Sequence, residues 1–82
     1  MSDVLVVQAS NEETLLPRLL RVLAQQGLKV KDLRMTISKD EQELELNIVL
    51  STLCAEQAVR LLAKQVAVKN VVRTNRYWQD AI

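Results

Sequence analysis

"LKVKDLRMTISKDEQELELNIVLS", residues 28–51, contains the clearest alternation of apolar and polar residues in the chain. In its second half, an aliphatic residue occupies every second position from Leu44 to Leu50, which is the pattern of a strand with one buried face. The polar stretch "KDEQ", residues 39–42, predicts a turn. The two halves should therefore pair as an antiparallel hairpin.

The first strand of this hairpin changes its phase. Its apolar residues occupy even positions up to residue 30 and odd positions from residue 33 to residue 37. A one-residue slip would turn every later side chain to the wrong face of the sheet. One extra residue near Lys31 and Asp32 would restore a single buried face, so we predict a β-bulge there.

The segment before the hairpin has the apolar spacing of an amphipathic helix from Thr14 to Gln26, and Gly27 supplies a left-handed stop. The only proline of the chain, Pro17, lies inside it. With Thr14 as the N-cap, Pro17 falls in the first helical turn, where the backbone N–H needs no helical partner. The alternative is a helix that begins at Asn11 and is kinked at Pro17.

The complete order of elements is β-α-β-β-α-β. "VLVV", residues 4–7, is typical of a central strand covered on both faces. "CAEQAVRLLAKQ", residues 54–65, and Val66 have helical spacing, and "VKNVVRTN", residues 68–75, contains a β-branched run. This order predicts an α+β fold, a ferredoxin-like βαββαβ sandwich with two helices on one face of a four-stranded antiparallel sheet.

In this fold the second strand lies at an edge of the sheet. It has a mixed apolar and basic character, with Lys29, Lys31, Arg34 and Met35. Such an edge is a natural pairing surface for a second copy. An 82-residue chain also buries a small fraction of its surface when it folds alone, so we expect a homodimer that buries more.

The composition excludes several functions. A net charge of +1 provides no general attraction for nucleic acid or for a membrane surface, and no signal peptide or membrane span is evident. The chain has no His and a single cysteine, Cys54, without a partner or an activating base. We therefore expect a cytoplasmic protein without catalysis of its own.

Two charged groups need interpretation. For Glu41, Glu43 and Glu45 we favour cross-strand charge pairing, with Arg34 diagonally near, over a metal site, and we predict that the chain binds no metal. The other group concentrates five positive charges between residues 60 and 76, and it is either a docking surface for an acidic partner or a solvated face. Its members are Arg60, Lys64, Lys69, Arg73 and Arg76.

The only aromatic residues, Tyr77 and Trp78, are adjacent and follow the last strand. They predict either a tail that folds back to cap the sheet or an anchor that binds a partner. A further candidate site is the loop Ser10–Glu13, which leads to the free N–H groups of Leu15 and Leu16 and could hold a carboxylate.

The residues at this loop also carry a family resemblance. "NEETLLPRL", residues 11–19, and "QGLKVKDL", residues 26–33, resemble the pattern N-x-x-G-x-L-x-R-V … R-G-[FY]-N-I-x-S-L of ACT domains in the small regulatory subunits of acetolactate synthase. The chain looks most like the short, isozyme II form. The resemblance covers residues 3–74, and it implies an ACT domain at 1–76 followed by a C-terminal tail at 77–82.

The resemblance implies a non-catalytic ACT dimer that activates a larger catalytic subunit in branched-chain amino acid biosynthesis. Thiamine diphosphate, Mg²⁺ and FAD belong to that catalytic partner, and this chain binds no cofactor. The partner would contact Arg73, Arg76, Tyr77 and Trp78. A free-standing ACT amino-acid sensor attached to another metabolic enzyme is the alternative, whereas an acylphosphatase-like enzyme would need a Gly and an Arg that "ASNEET" lacks.

In the family, an amino acid such as valine binds at the dimer interface. The effector-binding residues, if the function is retained, are Asn11, Glu12, Glu13, Thr14, Leu15, Lys29 and Thr36. Asn11 matches the Asn of the family that contacts the effector, but Thr14 replaces a Gly and Lys29 replaces an Asn. Both changes crowd or charge the pocket, so we expect weak or absent valine feedback.

Overall fold

A computed structural model describes residues 4–51 and 55–74 of the chain. Four strands and two helices alternate in the order βαββαβ. Their bounds are β1 Val4–Ser10, α1 Leu15–Gln25, β2 Val30–Ile37, β3 Glu43–Leu50, α2 Ala55–Ala63 and β4 Val68–Thr74.

The strands form one antiparallel sheet in the order β2-β3-β1-β4, so β1 and β3 are central and β2 and β4 are the edges. This topology confirms the predicted ferredoxin-like fold and the edge position of the second strand. The predicted bulge is also confirmed, because the β2–β3 register shifts between Val30 and Asp32. Lys31 is the extra residue, and with it both Val30 and Leu33 face the core.

The core lies between the helices and one face of the sheet. Leu5 and Val7 of β1 pair with Ile48 and Leu46 of β3, and all four are fully buried. The helices contribute buried side chains to the same cluster, namely Leu15, Leu19, Leu23, Ala58 and Leu62. Each buried leucine stabilises the fold by about 1.5–3 kcal/mol relative to an exposed one.

Helix α1 begins at Leu15 with Thr14 as its N-cap, so Pro17 is the third helical residue. The kinked alternative that begins at Asn11 is therefore wrong. The Thr14 side chain makes no capping hydrogen bond. The prediction of a free N–H at Leu15 is wrong, because this group donates to the Glu12 carbonyl at 3.1 Å.

Helix α1 ends in a Schellman motif. Gly27 has a φ of 73°, and its N–H donates to the Ala24 carbonyl at 3.0 Å. The Leu28 N–H donates to the Leu23 carbonyl at 2.9 Å, and both leucine side chains are buried in the core. This closure satisfies the last carbonyl groups of the helix. It confirms the predicted stop at Gly27.

Helix α2 ends earlier than its apolar spacing indicated. It stops at Ala63, and Val66 lies in the following loop with 71% of its surface exposed. The placement of Val66 on the apolar stripe of α2 is therefore wrong. Ala67, with a left-handed φ of 77°, redirects the chain into β4. A left-handed residue other than Gly or Asn is uncommon, and sequence spacing gives no sign of it.

Candidate functional site

Three loops meet at the end of the sheet where β1 finishes. They are the β1–α1 loop (residues 11–14), the β2–β3 turn (residues 38–42) and the α2–β4 loop (residues 64–67). The Ser10 N–H donates to the Ala67 carbonyl, and the Asn11 N–H donates to the Gln42 carbonyl, both at 2.9 Å. The β1–α1 loop is therefore held from both sides by backbone hydrogen bonds.

The side chain of Asn11 adds a third connection. Its Nδ2 donates to the Glu41 carbonyl at 2.9 Å. Glu41 has a left-handed φ of 60°, which turns the hairpin. With Nδ2 already bonded, the oxygen Oδ1 is the atom of Asn11 that remains suited to a donor such as an ammonium group.

Arg18 connects α1 to the α2–β4 loop. Its Nη2 donates to the Val66 carbonyl at 2.8 Å and lies 3.8 Å from the Glu12 carboxylate. Its Nε is buried and has no hydrogen-bond partner among the described residues. Leaving a buried donor unsatisfied costs about 1–3 kcal/mol, which offsets part of the stabilisation from the contacts of Nη2.

Four of the seven predicted effector residues lie together in the β1–α1 loop. Asn11, Glu12, Glu13 and Thr14 are all exposed there. Leu15 is adjacent, but its side chain is fully buried and its N–H is bonded to Glu12. A ligand at this loop would therefore meet polar side chains and the backbone of α1, not the Leu15 side chain.

The other two predicted effector residues lie elsewhere in the protomer. Lys29 directly precedes Val30, which pairs with Leu50 at the opposite end of the sheet from Asn11. The length of β2, about 23–26 Å, separates the two ends. Within one protomer, the structure does not bring Lys29 to the β1–α1 loop.

Thr36 lies on the face of the sheet opposite the helices, which we call the helix-free face. There it faces Glu45, which in turn faces Gln8. These side chains line an open groove of about 290 Å³ together with Ser38, Leu44 and Glu43. None of the exposed residues of the β1–α1 loop lines this groove.

The β2–β3 turn is closed by the carboxylate of Asp40. Ser38 Oγ donates to Asp40 Oδ1 at 2.6 Å, and the Gln42 N–H donates to the same oxygen at 3.0 Å. The hydrogen bond from Ser38, followed by that from Gln42, lowers the pKa of Asp40 below its ordinary value of 3.8. The charged form of Asp40 therefore stabilises the turn that holds Asn11.

The acidic side chains of β3 are paired with cations and amides. Glu45 faces Thr36, and its Oε2 accepts a hydrogen bond from Asn47 Nδ2 at 3.5 Å. Glu43 forms an ion pair with Lys69. The spacing of charges along the chain gives no sign of this pair, and Lys69 was predicted only as a member of the basic group. Among the described residues, no group of three or more His, Cys, Asp or Glu could hold a metal ion.

Of the predicted partner-binding residues, the structure describes only Arg73. Arg73 is exposed on β4 and faces Leu5 across the strands. Arg76, Tyr77 and Trp78 lie outside the described residues, as does Cys54. In the part of the chain that is described, neither helix has the length and apolar character needed to cross a lipid bilayer.

The fold resembles several solved structures. The ACT domain of GTP pyrophosphokinase from Chlorobium tepidum superposes with a TM-score of 0.72 in its crystal structure, at 12% identity, over 90% of this chain and 97% of that domain. Its solution structure gives 0.74, at 12% identity, over 94% and 89%. The C-terminal domain of MgtC from Mycobacterium tuberculosis gives 0.62, at 17% identity, over 90% and 86%.

No family model matches the sequence, and no curated protein matches it either. The class of protein is therefore defined by its fold, which is a ferredoxin-like α+β sandwich. Within that class, the chain has the fold of an ACT domain. Identities of 12% and 17% establish the architecture and leave the activity to be argued from the residues.

Proposed function

We propose that this chain is a regulatory small subunit, without catalysis of its own, that binds and activates the catalytic subunit of acetolactate synthase. The observation that carries the proposal is the position of the family-like motif in the fold. Asn11 and Thr14 form the loop before α1, and Gly27 closes the same helix with a φ of 73°. The residues that resemble the acetolactate synthase pattern thus occupy both ends of one helix.

The assembly we propose is a homodimer through the β2 edge. Met35 and Ile37 lie on the helix side of this strand with 46% and 43% of their surfaces exposed. No described element pairs with the outer edge of β2. Pairing around a twofold axis would place two β2 strands antiparallel to each other. Met35 and Ile37 of both protomers would then be buried in the interface.

The same pairing would bring Lys29 to the proposed effector pocket. Two antiparallel β2 strands place the beginning of one beside the end of the other, so Lys29 of a second protomer would approach the β1–α1 loop of the first. The proposed effector pocket then contains Asn11, Glu12, Glu13 and Thr14 from one protomer and Lys29 from the other. A cation at this position repels the ammonium group of an amino acid, and Thr14 narrows the approach to the helix.

We therefore propose activation with weak or absent valine feedback. Arg73, Arg76, Tyr77 and Trp78 would bind the catalytic subunit, which would contain the thiamine diphosphate, Mg²⁺ and FAD of the reaction. The mechanism would be preferential binding of the active arrangement of the partner, because only such a difference in affinity can shift its equilibrium.

The test mixes the purified chain with an acetolactate synthase catalytic subunit and measures acetolactate formation with and without valine. Formation should rise with added chain until the complex is saturated, and it should respond little to valine. Val66→Ala serves as a matched control, because the Val66 side chain is exposed and is not one of the proposed effector, dimer or partner-binding residues. No rise in acetolactate formation would contradict the proposal.

The alternative is a free-standing ACT amino-acid sensor bound to another enzyme. The likeness to the ACT domain of a GTP pyrophosphokinase shows that the same architecture occurs in a different enzyme. Co-purification from cells would distinguish the two functions, because a sensor would bring down a protein other than an acetolactate synthase subunit.

A further inference from the structure

The helix-free face carries a group of valines that the core does not include. Val4 faces Val49 across β1 and β3, and Val6 faces Val72 across β1 and β4. Side chains two positions apart on a strand share a face, so these four residues form one apolar surface, which we call the valine patch. None of the four belongs to the core cluster between the sheet and the helices.

The burial of the valine patch is uneven. Val4 and Val49 are only 2% and 0% exposed, although α1 and α2 both pack on the opposite face. Val72, next to them on β4, remains 47% exposed. No described helix or strand lies over the patch. The two helices therefore do not account for the burial of Val4 and Val49.

The described part of the chain ends beside the valine patch. Thr74 ends β4 and faces Val4, so the chain leaves the sheet at the border of the valine patch. Eight residues follow, and they include both aromatic residues of the protein, Tyr77 and Trp78. Eight residues span at most about 26–29 Å, which is ample, because Tyr77 is only three residues from the border.

We propose that the C-terminal segment, residues 75–82, packs on the valine patch of its own chain with Trp78 as its anchor. Tyr and Trp side chains bury a large apolar area and carry one polar atom. They suit a sheet face that is only partly covered, because the polar atom can remain in water. The proposal does not rest on the proposed function. It is compatible with it, because a ring that packs one side on the sheet can present its other side to a partner.

Trp78 is the only tryptophan, so its fluorescence reports this contact directly. In the native protein without any partner, its emission should lie at shorter wavelength than in the urea-unfolded chain, and acrylamide should quench it less. Both properties should be independent of protein concentration. Equal quenching in the native and unfolded protein would overturn the proposal.

Matched variants locate the contact. Val72→Asp should shift the emission of Trp78 to longer wavelength and remove its protection from acrylamide. Val66→Asp, at an exposed valine in the α2–β4 loop, should change neither property. Circular dichroism would establish that both variants are folded. A folded Val72→Asp protein with unchanged quenching would count against the proposal.

A second measurement needs no variant. Nuclear Overhauser contacts are expected between the Trp78 ring and the methyl groups of the valine patch. A mixed sample of labelled and unlabelled chains would show whether these contacts arise within one chain, as we propose, or between two copies. Contacts between copies, or none to the patch in the native protein, would overturn the assignment.

Discussion

Asn11 and Glu41 are joined by a hydrogen bond from the side-chain Nδ2 of Asn11 to the backbone carbonyl of Glu41, at 2.9 Å. The bond connects the loop before α1 to the turn of the β2–β3 hairpin. Asn11, for which we propose a contact with the effector, therefore has a structural role as well as the proposed one. The Nδ2 atom of Asn11 holds the turn, and this contact fixes the orientation of its Oδ1 atom.

Replacing Asn11 should test this structural role. Asn11→Ala and Asn11→Asp both remove the donor, and each should lower the free energy of unfolding by about 0.5–1.5 kcal/mol in urea titrations. Gln25→Ala is the control, because Gln25 is an exposed side chain of α1. If Asn11→Asp were as stable as the unmodified protein, the bond to Glu41 would have no energetic importance.

The proposed loss of valine binding should be reversible by two substitutions. Thr14→Gly removes the side chain at the start of α1, and Lys29→Asn removes the cation. The double variant should bind valine in calorimetric titrations, whereas the unmodified chain should not bind at micromolar affinity. Such binding by the unmodified chain would contradict the proposal directly.

The proposed dimer should depend on the apolar side chains of β2. Met35→Lys or Ile37→Lys places a charge on the proposed interface, where burying it unpaired costs several kcal/mol, so sedimentation should show monomers. Val66→Lys should leave the proposed dimer intact, because Val66 is more exposed than Met35 and Ile37 and is far from the β2 edge. Unchanged dimers of both β2 variants would show that the chain associates elsewhere.

The β2–β3 turn should lose stability at low pH. Because folding lowers the pKa of Asp40, its charged form stabilises the native protein above the ordinary value of 3.8, and this contribution disappears as the pH falls through the lowered pKa. Asp40→Asn should therefore be less stable than the unmodified protein at neutral pH. The difference should vanish in strong acid, as measured by urea titration at each pH.

Ser38→Ala provides the complementary experiment, because Ser38 donates the hydrogen bond that contributes most to lowering the pKa of Asp40. In this variant the pH dependence should be smaller, since the backbone N–H of Gln42 is then the main remaining donor. A pH dependence as large as that of the unmodified protein would assign the effect to another carboxylate.

Local sequence rules predicted most of the fold. The phase change of the apolar residues located the bulge at Lys31, since only an extra residue keeps Val30 and Leu33 on one face. Pro17 located the start of α1, because a proline is tolerated only where its missing N–H has no helical partner. In both cases one local constraint has a single structural solution.

The contacts of the candidate site could not be predicted in the same way. Asn11 and Glu41 are 30 residues apart, and Glu43 and Lys69 are 26 apart. Each pair depends on how the loops meet after the sheet has formed, and no periodicity in the sequence encodes that. The left-handed φ of Ala67 was missed for a related reason, because the tertiary contact of its carbonyl with Ser10 compensates for an unfavourable backbone conformation.

The bulge at Lys31 also has a consequence for solubility. A regular, exposed edge strand can pair with the edge strands of other molecules, and repeated pairing of this kind produces fibrils. The extra residue bends β2 near its start and leaves only Asp32–Ile37 in regular register with β3. Deleting Lys31 would straighten this border, and the resulting protein should precipitate more readily in the test tube.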